Sequence, residues 1–279
     1  MEKSRNIMRQ SLRGLHDTRE INNITDCVLE HLLHTDRTHL LMERNSVLSE
    51  SVHQRVEAIA MRLHNGEPLQ YILGTAPFYG MDLHVSPAVL IPRPETEELV
   101  EWILSENDMH PSRVLDMGTG SGCIALALAQ NRPLWSVEAI DISNEALDLA
   151  RKNADENGIK VDFRQQDILQ IPSQQEIYDI IVSNPPYITP SEKKQMHCNV
   201  LDFEPHLALF VPGDDPLLFY RAITRFASTA LKPGGQLYFE INRQFGQETL
   251  NMIKQESTLQ PTLRKDISQN DRMIMAVKF

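Results

Sequence analysis

The chain has 279 residues, 41% of them hydrophobic and 23% charged, with a formal net charge of −11 at pH 7. This composition is typical of a globular protein that folds without disulfides or a structural metal, and its length suits two domains. The acidic balance argues against stable binding to nucleic acid, which usually needs a basic surface. No apolar stretch reaches the roughly 18 residues of a membrane span. Three scattered cysteines, Cys27, Cys123 and Cys198, favour a reducing compartment, so we expect a cytoplasmic protein with no membrane association.

The first 75 residues are predicted to form a small helical bundle. Apolar residues recur at helical spacing from Asn22 to Met42, which predicts one helix there. A second apolar stripe predicts a helix from Glu50 to Asn65, and Gly66 suits the left-handed position that ends it. The residues of this bundle leave two roles open, a stabilising appendage and a module that docks a substrate.

Three histidines in this region, His31, His34 and His39, raise the question of a metal site. His31 and His34 share one face of the predicted helix. No cysteine or carboxylate completes a known ligand spacing, so we interpret these side chains as a solvated surface and expect no metal.

The character of the sequence changes between residues 76 and 95. Apolar residues surround Gly80 and several prolines follow, a pattern that predicts a β-hairpin and a stiff linker. A helix then begins near Glu95. Arg93 stands between two prolines, which restrict its backbone, and we expect it to face a carboxylate of a ligand.

A glycine-rich turn follows the strand predicted at Arg113–Asp116 and precedes a helix that starts at Cys123. Its glycines alternate, G-x-G-x-G, unlike the G-x-G-x-x-G turn that places a helix N-terminus against a pyrophosphate. Asp116 stands before the turn, and a carboxylate there repels phosphate. Backbone N–H groups beside an acid suit a zwitterion, so we predict that the turn holds the methionine end of S-adenosylmethionine. The alternative is a tight turn with no ligand.

Acidic residues end the next two predicted strands. Asp141 follows the strand Val137–Ile140 and is placed to bind the two ribose hydroxyls. A helix over Asn144–Asn157 leads to a third strand, after which Asp167 can accept from an adenine amino group and Ile168 can pack on the ring. Each acid alone is more simply a cap or a surface charge, but together they outline an adenosine site.

The alternation of strands and helices continues to the C-terminus, where two strands are predicted at Thr262–Asp266 and Met273–Phe279. A further helix is expected at Pro216–Leu231, followed by a turn at Lys232–Gly235 and a strand. This order predicts an α/β fold with a mostly parallel sheet covered by helices on both faces. The closing pair, which has no helix between its strands, adds one antiparallel strand.

The most informative turn is Asn184-Pro185-Pro186-Tyr187, at the end of the apolar strand Tyr178–Val182. Two prolines cannot extend a sheet, so the chain leaves it in a rigid path at the edge where α/β sheets carry their chemistry. A planar NH₂ group has two donors, and Asn184 Oδ1 and the Pro185 carbonyl supply two acceptors. Tyr187 can lie flat against the same group. Glutamine, asparagine, adenine and cytosine all present such a nitrogen.

Motifs along the chain resemble those of the HemK/PrmC family, the release factor glutamine methyltransferases. They occur in one order over nearly the whole length: Phe78-Tyr79-Gly80, Leu90–Glu97, Asp116–Gly122, Ser183–Ile188 and Phe203-Glu204-Pro205. The resemblance implies a class I, Rossmann-like methyltransferase that uses S-adenosylmethionine to methylate the N5 nitrogen of the glutamine in the Gly-Gly-Gln motif of peptide chain release factors, modulating translation termination. It also implies that the helical front end helps dock the release factor. We expect a monomer.

Carried over by position, the resemblance assigns roles to individual residues. It implies a methionine-binding turn of Gly118, Thr119, Gly120, Ser121 and Gly122, ribose binding by Asp141, adenine packing by Asp167 and Ile168, and contact with both substrates at Asn184. The glutamine would be held by Asn184, Pro185, Pro186 and Tyr187. Some relatives have tryptophan where this chain has Ile168, which implies weaker ring packing here.

The resulting domain assignment is a helical docking domain at residues 1–75, a β-hairpin linker at 76–95 and a catalytic domain at 96–279. Two other functions stay open from the residues alone. An adenine- or cytosine-modifying nucleic-acid methyltransferase shares the Asn184–Tyr187 turn, but the net charge argues against it. A non-catalytic S-adenosylmethionine-binding scaffold would have no need of the acceptor pair.

Overall fold

A computed structural model describes residues 1–195 and 198–279 of the chain. The described residues divide into two compact units. The first comprises Met1–Thr75 together with the short helix Cys198–Phe203, and the second comprises the remainder. The division separates Phe203 from Glu204, so the Phe203-Glu204-Pro205 motif has residues in both units.

The first unit is helical. Its helices are α1 (Glu2–Leu12), α2 (Thr18–Leu33), α3 (Arg37–Met42), α4 (Glu50–His64) and α5 (Leu69–Leu73). Apolar side chains from these helices form one core, which includes Met8, Leu12, Val28, Leu29, Leu32, Val56 and Ala60. The buried Ser4 hydroxyl and His53 ring nitrogen Nδ1 form a hydrogen bond of 2.8 Å that joins α1 to α4.

The helix predicted from Asn22 to Met42 is interrupted, which corrects the sequence prediction. His34 adopts a left-handed conformation with φ of 51°, and its N–H donates to the Glu30 carbonyl, ending α2. Asp36 then starts α3 by accepting from the His39 N–H at 2.9 Å. The apolar spacing continued through the break, but local hydrogen bonds of a capping aspartate compete with the helix there. The prediction for α4 is confirmed, with Gly66 at φ of +87° after its end.

The second unit alternates strands and helices. Its strands are β1 (Thr75–Phe78), β2 (Met81–His84), β3 (Arg113–Met117), β4 (Ser136–Asp141), β5 (Asp162–Gln165), β6 (Tyr178–Ser183), β7 (Leu231–Glu240), β8 (Gln260–Lys265) and β9 (Asp271–Val277). The helices of the later chain are α6 (Pro94–Glu106), α7 (Cys123–Asn131), α8 (Asn144–Asn157), α9 (Cys198–Phe203), α10 (His206–Leu209), α11 (Leu218–Ala230) and α12 (Gly246–Glu256). Of these, α9 belongs to the first unit.

One large sheet organises the second unit. Within the described residues its strand order is β5-β4-β3-β6-β7-β9-β8, and β1 pairs only with β2. The strands from β5 to β7 are parallel, whereas β9 runs antiparallel to both β7 and β8. The chain proceeds outward from β3 through β4 to β5 and then returns to the other side of β3 at β6. The carboxyl ends of β3 and β6 therefore form the topological switch point, where open α/β sheets bind ligands.

Alternate residues of the central strands face two separate cores. Val114, Ile180 and Tyr238 pack into one apolar cluster with α6 and α7. Leu115, Ile181 and Leu237, each adjacent in sequence to one of these residues, pack into a second cluster with residues of α11 and α12. This period of two, with both faces buried, explains the continuous apolar runs and confirms the predicted α/β class.

The turn predicted at Lys232–Gly235 lies within β7 in the structure. The register between β6 and β7 shifts between Tyr178 and Ile180, so β7 contains an irregularity instead of starting after it. Gly234 donates to the Lys278 carbonyl at 2.7 Å, and Gly235 accepts from the Lys278 N–H at 2.9 Å. These bonds to the end of the chain keep the segment in the sheet, which a local turn signal does not reveal.

Of the helices in the described ranges, none combines the length and hydropathy that crossing a bilayer would require.

Candidate active site

A cavity of about 740 Å³ opens at the switch point of the sheet. This size is typical of sites for small ligands. Its wall brings together the turns after β3, β4 and β6, and further segments before α6 and around α10. Among the predicted site residues, the wall contains Gly118, Thr119, Gly120, Ser121, Asp141, Asp167, Ile168, Asn184 and Pro186.

The glycine turn directs several of its backbone donors into the protein. Gly118 and Thr119 donate to the Ile140 carbonyl at 2.8 and 3.0 Å, and Gly120 donates to Asp141 Oδ2 at 2.9 Å. From the sequence, such N–H groups were predicted to bind the ligand. These three N–H groups instead fasten the turn to the end of β4, so they shape the cavity.

The glycine turn nevertheless fits a ligand in two respects. Gly120 has φ of +55°, and a Cβ built on it would meet no atom within 4 Å, so the backbone there borders open space. Ser121 Oγ, on the cavity wall, is buried and has no hydrogen-bond partner among the described residues. A buried hydroxyl without a partner is costly, and the polar methionine end of S-adenosylmethionine would supply one.

Gly122 has a different role from the one predicted, because it is not part of the cavity wall. It precedes α7 with φ of +83°, and a Cβ there would lie 3.1 Å from the Cβ of Ala150 on α8. Gly122 therefore allows two helices to pack closely behind the turn.

Asp141 holds the glycine turn and also borders the cavity. Its Oδ2 accepts from Gly120, and its Oδ1 accepts from the Ser143 N–H at 2.9 Å. Burial raises the pKa of Asp141, while these N–H groups oppose that shift. Each carboxylate oxygen has a further lone pair, so the group can accept from hydroxyl groups in the cavity.

The two predicted adenine contacts differ in their surroundings. Asp167 caps a short 3-10 turn at Ile168–Gln170, with Oδ1 accepting from Leu169 N at 2.8 Å and Oδ2 from the Gln170 side chain at 3.0 Å. Ile168 is buried, and its Cδ1 would lie 3.5 Å from a Cβ on Gly118. Ile168 thus closes the cavity next to the glycine turn.

The turn after β6 contributes Asn184 and Pro186 to the wall, whereas Pro185 and Tyr187 are not part of it. Tyr187 is half-buried and packs against the apolar cluster beneath the sheet. Burial raises its pKa. In this conformation the tyrosine ring supports the turn, and Asn184 presents its side chain at the cavity.

Two residues that were not predicted as site residues contact Asn184. Asn184 Nδ2 donates to Thr96 Oγ1 at 3.4 Å, and Thr96 Oγ1 donates to Glu240 Oε2 at 2.6 Å. Burial raises the pKa of Glu240 to about 7. A signal for Glu240 existed, because it is an acid at the end of a buried strand, as Asp141 is. Thr96 lies within the Leu90–Glu97 motif, but its own position suits an ordinary helix start and did not mark it as part of the site.

Asp116 is buried and is not part of the cavity wall. Its Oδ2 accepts from the Thr119 hydroxyl at 2.6 Å, which braces the glycine turn. Burial raises the pKa of Asp116 to about 7. Asp116 thus supports the glycine turn on the side away from the cavity. It was predicted to lie beside the ligand, and the structure does not place it there.

Arg93 borders the cavity but pairs with a residue of the chain. Its guanidinium donates to Glu204, which also accepts from Ile91 N at 3.4 Å. Glu204 is buried, so this pair satisfies an otherwise costly charge. The prediction that Arg93 faces a ligand carboxylate is therefore not met in this structure. Glu204, from the Phe203-Glu204-Pro205 motif, instead ties that segment to the linker before α6.

The segment after Glu204 also forms part of the wall, through residues from Pro205 to Pro212. It is attached to the Asn184 turn, because Ile188 N donates to the Leu209 carbonyl at 3.0 Å and Val211 N donates to the Ile188 carbonyl at 2.9 Å. Only Pro205 lay in a motif noted in the sequence; the residues after it were missed because the mostly apolar run Leu207–Pro212 has no pattern that marks a site.

Metal ligation and thiol chemistry find little support in the described part of the chain. No three His, Cys, Asp or Glu side chains there cluster in a way that holds a metal ion. His34 ends a helix, and His39 Nδ1 lies 2.9 Å from Asp36 Oδ2. Cys27 and Cys123 are free thiols, whereas the side chain of Cys198 lies outside the described residues.

Comparison with known proteins identifies the class of protein to which this chain belongs. The family model of the methyltransferase small domain matches residues 95–202. A methyltransferase from Pyrococcus furiosus shares the fold, with a TM-score of 0.52 and 19% identity over 71% of this chain and 89% of that one. A T. thermophilus 16S rRNA methyltransferase in complex with AdoMet and guanosine does so with a TM-score of 0.53 and 20% identity over 74% of this chain and 50% of that one. The chain thus has the fold of the methyltransferase class.

Relatives that align with nearly the whole chain identify its family. The family model of the PrmC N-terminal domain matches residues 9–74. The release factor glutamine methyltransferase of Flavobacterium psychrophilum is 46% identical over 95% of this chain and 94% of its own length. That of Bacteroides thetaiotaomicron is 46% identical over 96% and 97%. The chain belongs to the release factor glutamine methyltransferase family, as its motifs indicated.

Proposed function

We propose that this protein transfers a methyl group from S-adenosylmethionine to the N5 nitrogen of the glutamine in the Gly-Gly-Gln motif of peptide chain release factors. One observation carries the proposal. Asn184, which offers an amide oxygen, shares a single cavity with the glycine turn and Asp141. A methyl donor bound by the turn would therefore meet an acceptor group held at Asn184. The family relatives support glutamine as that group.

The wall residues have distinct roles toward the methyl donor in this proposal. Gly118 to Ser121 receive the methionine end, with Ser121 Oγ as a donor or acceptor, and Gly122 shapes that turn. Asp141 accepts from the ribose hydroxyls. Asp167 and Ile168 border the adenine, and Ile168 supplies apolar contact. The bound donor supplies a methyl group already activated by its sulfonium, so the protein has only to orient the nitrogen that attacks it.

Orientation of the glutamine nitrogen is the task of the Asn184 turn. Asn184 Oδ1 and the Pro185 carbonyl accept the two N–H groups of the substrate amide, and Pro186 keeps that path rigid. As the nitrogen gains positive charge, both acceptors bind it more strongly, which favours the transition state. Tyr187 supports the turn from the core side. The surplus proton leaves to water after the methyl group has moved.

Methyl transfer from labelled S-adenosylmethionine tests this function directly. The protein is incubated separately with a purified release factor, with DNA and with tRNA. We expect label on the release factor only, and none on a release factor whose Gly-Gly-Gln glutamine is replaced by alanine. Label on nucleic acid, with none on the glutamine, would overturn the proposal in favour of an adenine or cytosine methyltransferase, which the net charge of −11 disfavours.

We further propose that residues 1–75 form a docking domain, residues 76–95 a linker and residues 96–279 the catalytic domain. Support for docking comes from apolar side chains on the first unit, where Met42 is 78% and Val47 is 96% exposed. Replacing both by aspartate should raise KM for the release factor at least about fivefold, roughly 1 kcal/mol. Ile267→Asp, at an exposed position of the second unit, serves as the control. An unchanged KM in the double variant would contradict the docking role.

The protein is proposed to act as a monomer in the cytoplasm, where release factors meet the ribosome. Light scattering coupled to gel filtration would contradict this if the active species had twice the mass of the chain.

A further inference from the structure

The Asn184 side chain is held from behind by a buried chain of hydrogen bonds. Thr96 at the start of α6 and Glu240 at the end of β7 are 3% and 2% exposed. Thr96 Oγ1 lies 2.6 Å from Glu240 Oε2 and 3.4 Å from Asn184 Nδ2. Three separate elements thus converge on one amide group.

The chemistry of these groups fixes the direction in which each hydrogen bond is donated. An ionised carboxylate has no hydrogen to donate, so the single hydroxyl hydrogen of Thr96 goes to Glu240. Thr96 Oγ1 then has only lone pairs left toward Asn184, and only the NH₂ end of that amide can satisfy them. Asn184 Oδ1 is thereby left for a substrate.

We infer that Thr96 and Glu240 are positioning residues that turn the Asn184 oxygen, and not its NH₂ group, toward the nitrogen that is methylated. The inference rests on the proposed function, because it concerns the same acceptor group. A reversed amide would set N–H groups of Asn184 against N–H groups of the substrate, and one of the two acceptors would be lost.

The direction of these hydrogen bonds, and with it the orientation of the Asn184 amide, depends on the charge of Glu240. The charged groups near Glu240 come from several elements: Arg272 on β9 and Glu95 on α6, with the titratable groups of Tyr187, Tyr220 and Cys123 nearby. Burial raises the pKa of Glu240 to about 7, whereas Thr96, Arg272 and Asn184 oppose the rise. A protonated Glu240 can donate to Thr96, and Thr96 can then donate to Asn184 Oδ1, which reverses the amide.

The hydroxyl of Thr96 is tested by Thr96→Val, which keeps the shape, and by Thr96→Ser, which restores the hydroxyl. We expect Thr96→Val to lower kcat with release factor at least tenfold while the Kd for S-adenosylmethionine stays within about twofold. Thr96→Ser should recover kcat to within about threefold of the wild-type protein. Wild-type turnover in Thr96→Val, or a Thr96→Ser variant as slow as the valine one, would overturn the inference.

The charge of Glu240 is tested independently by Glu240→Gln, measured at saturating substrates between pH 6 and 8.5. For the wild-type protein kcat should fall as the pH drops through about 7, since the carboxylate is lost there. The glutamine variant should be slower at pH 8 and lack this transition, while binding S-adenosylmethionine normally. Persistence of the transition in the variant, at wild-type turnover, would refute the inference.

These outcomes are separate from failure of the proposed function. If the wild-type protein left release factors unmethylated, the proposed function would fail before any variant was compared. If the wild-type protein and Thr96→Val both methylated them equally, only the positioning role would fail. Because Glu240→Gln preserves size, it decides the question even if Thr96→Val does not fold.

Discussion

At the scale of single residues, one amide carries the proposed chemistry. Asn184 is the polar side chain on the turn after β6, and its NH₂ end is already engaged by Thr96. The remaining oxygen is therefore an acceptor that is oriented before any substrate arrives. Such preorganisation contributes to catalysis because no reorientation is needed in the transition state.

Replacing Asn184 by alanine should separate binding from turnover. We expect at least a tenfold loss of kcat, about 1.4 kcal/mol, with a nearly unchanged Kd for S-adenosylmethionine. Titration calorimetry and a methylation assay give the two quantities. Asn251→Ala, which removes an exposed amide on α12, is the matched control and should leave both unchanged. A variant that methylated release factor at the wild-type rate would contradict the two-acceptor mechanism.

At the scale of elements, the glycine turn depends on how closely α7 and α8 approach. Gly122 has φ of +83°, and a Cβ added to it would lie only 3.1 Å from the Cβ of Ala150. Gly158, which ends α8, also has a positive φ, of +65°, but a Cβ there meets no atom within 4 Å. Both positions have a backbone conformation that is unfavourable for residues other than glycine, and they differ in packing.

Alanine substitutions at these glycines should therefore have unequal effects. Gly158→Ala should cost about 1 kcal/mol of stability through the left-handed backbone alone. Gly122→Ala should cost about 1–3 kcal/mol more, because the added methyl overpacks the helix contact. It should also weaken S-adenosylmethionine binding by displacing the turn. Urea unfolding and a binding titration measure both effects, and equal losses of stability would show that packing at Gly122 is unimportant.

At the scale of the whole molecule, the second unit buries two acids whose pKa values burial raises to about 7, Asp116 and Glu240. The unfolded chain releases these protons at its ordinary carboxyl pKa, near 4. Between these values the folded protein binds protons that the unfolded chain lacks, so both groups lower stability as the pH rises toward 7. Above about 7 their effect is constant.

Glu240→Gln removes one of these titrations. The free energy of unfolding of the variant minus that of the wild-type protein should therefore be larger at pH 8 than at pH 5.5, which means that the variant gains relative stability as the pH rises. Urea unfolding at the two pH values measures this difference. A relative stability that was the same at both values would show that Glu240 keeps an ordinary pKa in the folded protein.

Much of the fold was predictable because its signals are local. The helix Asn144–Asn157 was predicted with its observed bounds, since Gly158 marks its end, and the structure adds a Ser143 cap at its start. The break at His34 was missed because apolar spacing continued across it, and β7 was predicted to start late because Gly234 and Gly235 suggested a turn. Both errors came from hydrogen bonds that the spacing of apolar residues does not report.

The sequence by itself determined the alternation of strands and helices, the glycine turn, the acid at the end of β4 and the rigid turn at Asn184. The backbone preferences of glycine and proline and the period of apolar residues act over a few positions, so a local reading finds them. Only the tertiary structure decided which of these residues share a cavity and which stand behind it. Gly122 and Asp116 brace the glycine turn, Arg93 pairs with Glu204, and Thr96 meets Glu240 from 144 positions away. Contacts over such separations depend on how the sheet orders its strands, so the orientation of the Asn184 amide is a property of the folded chain.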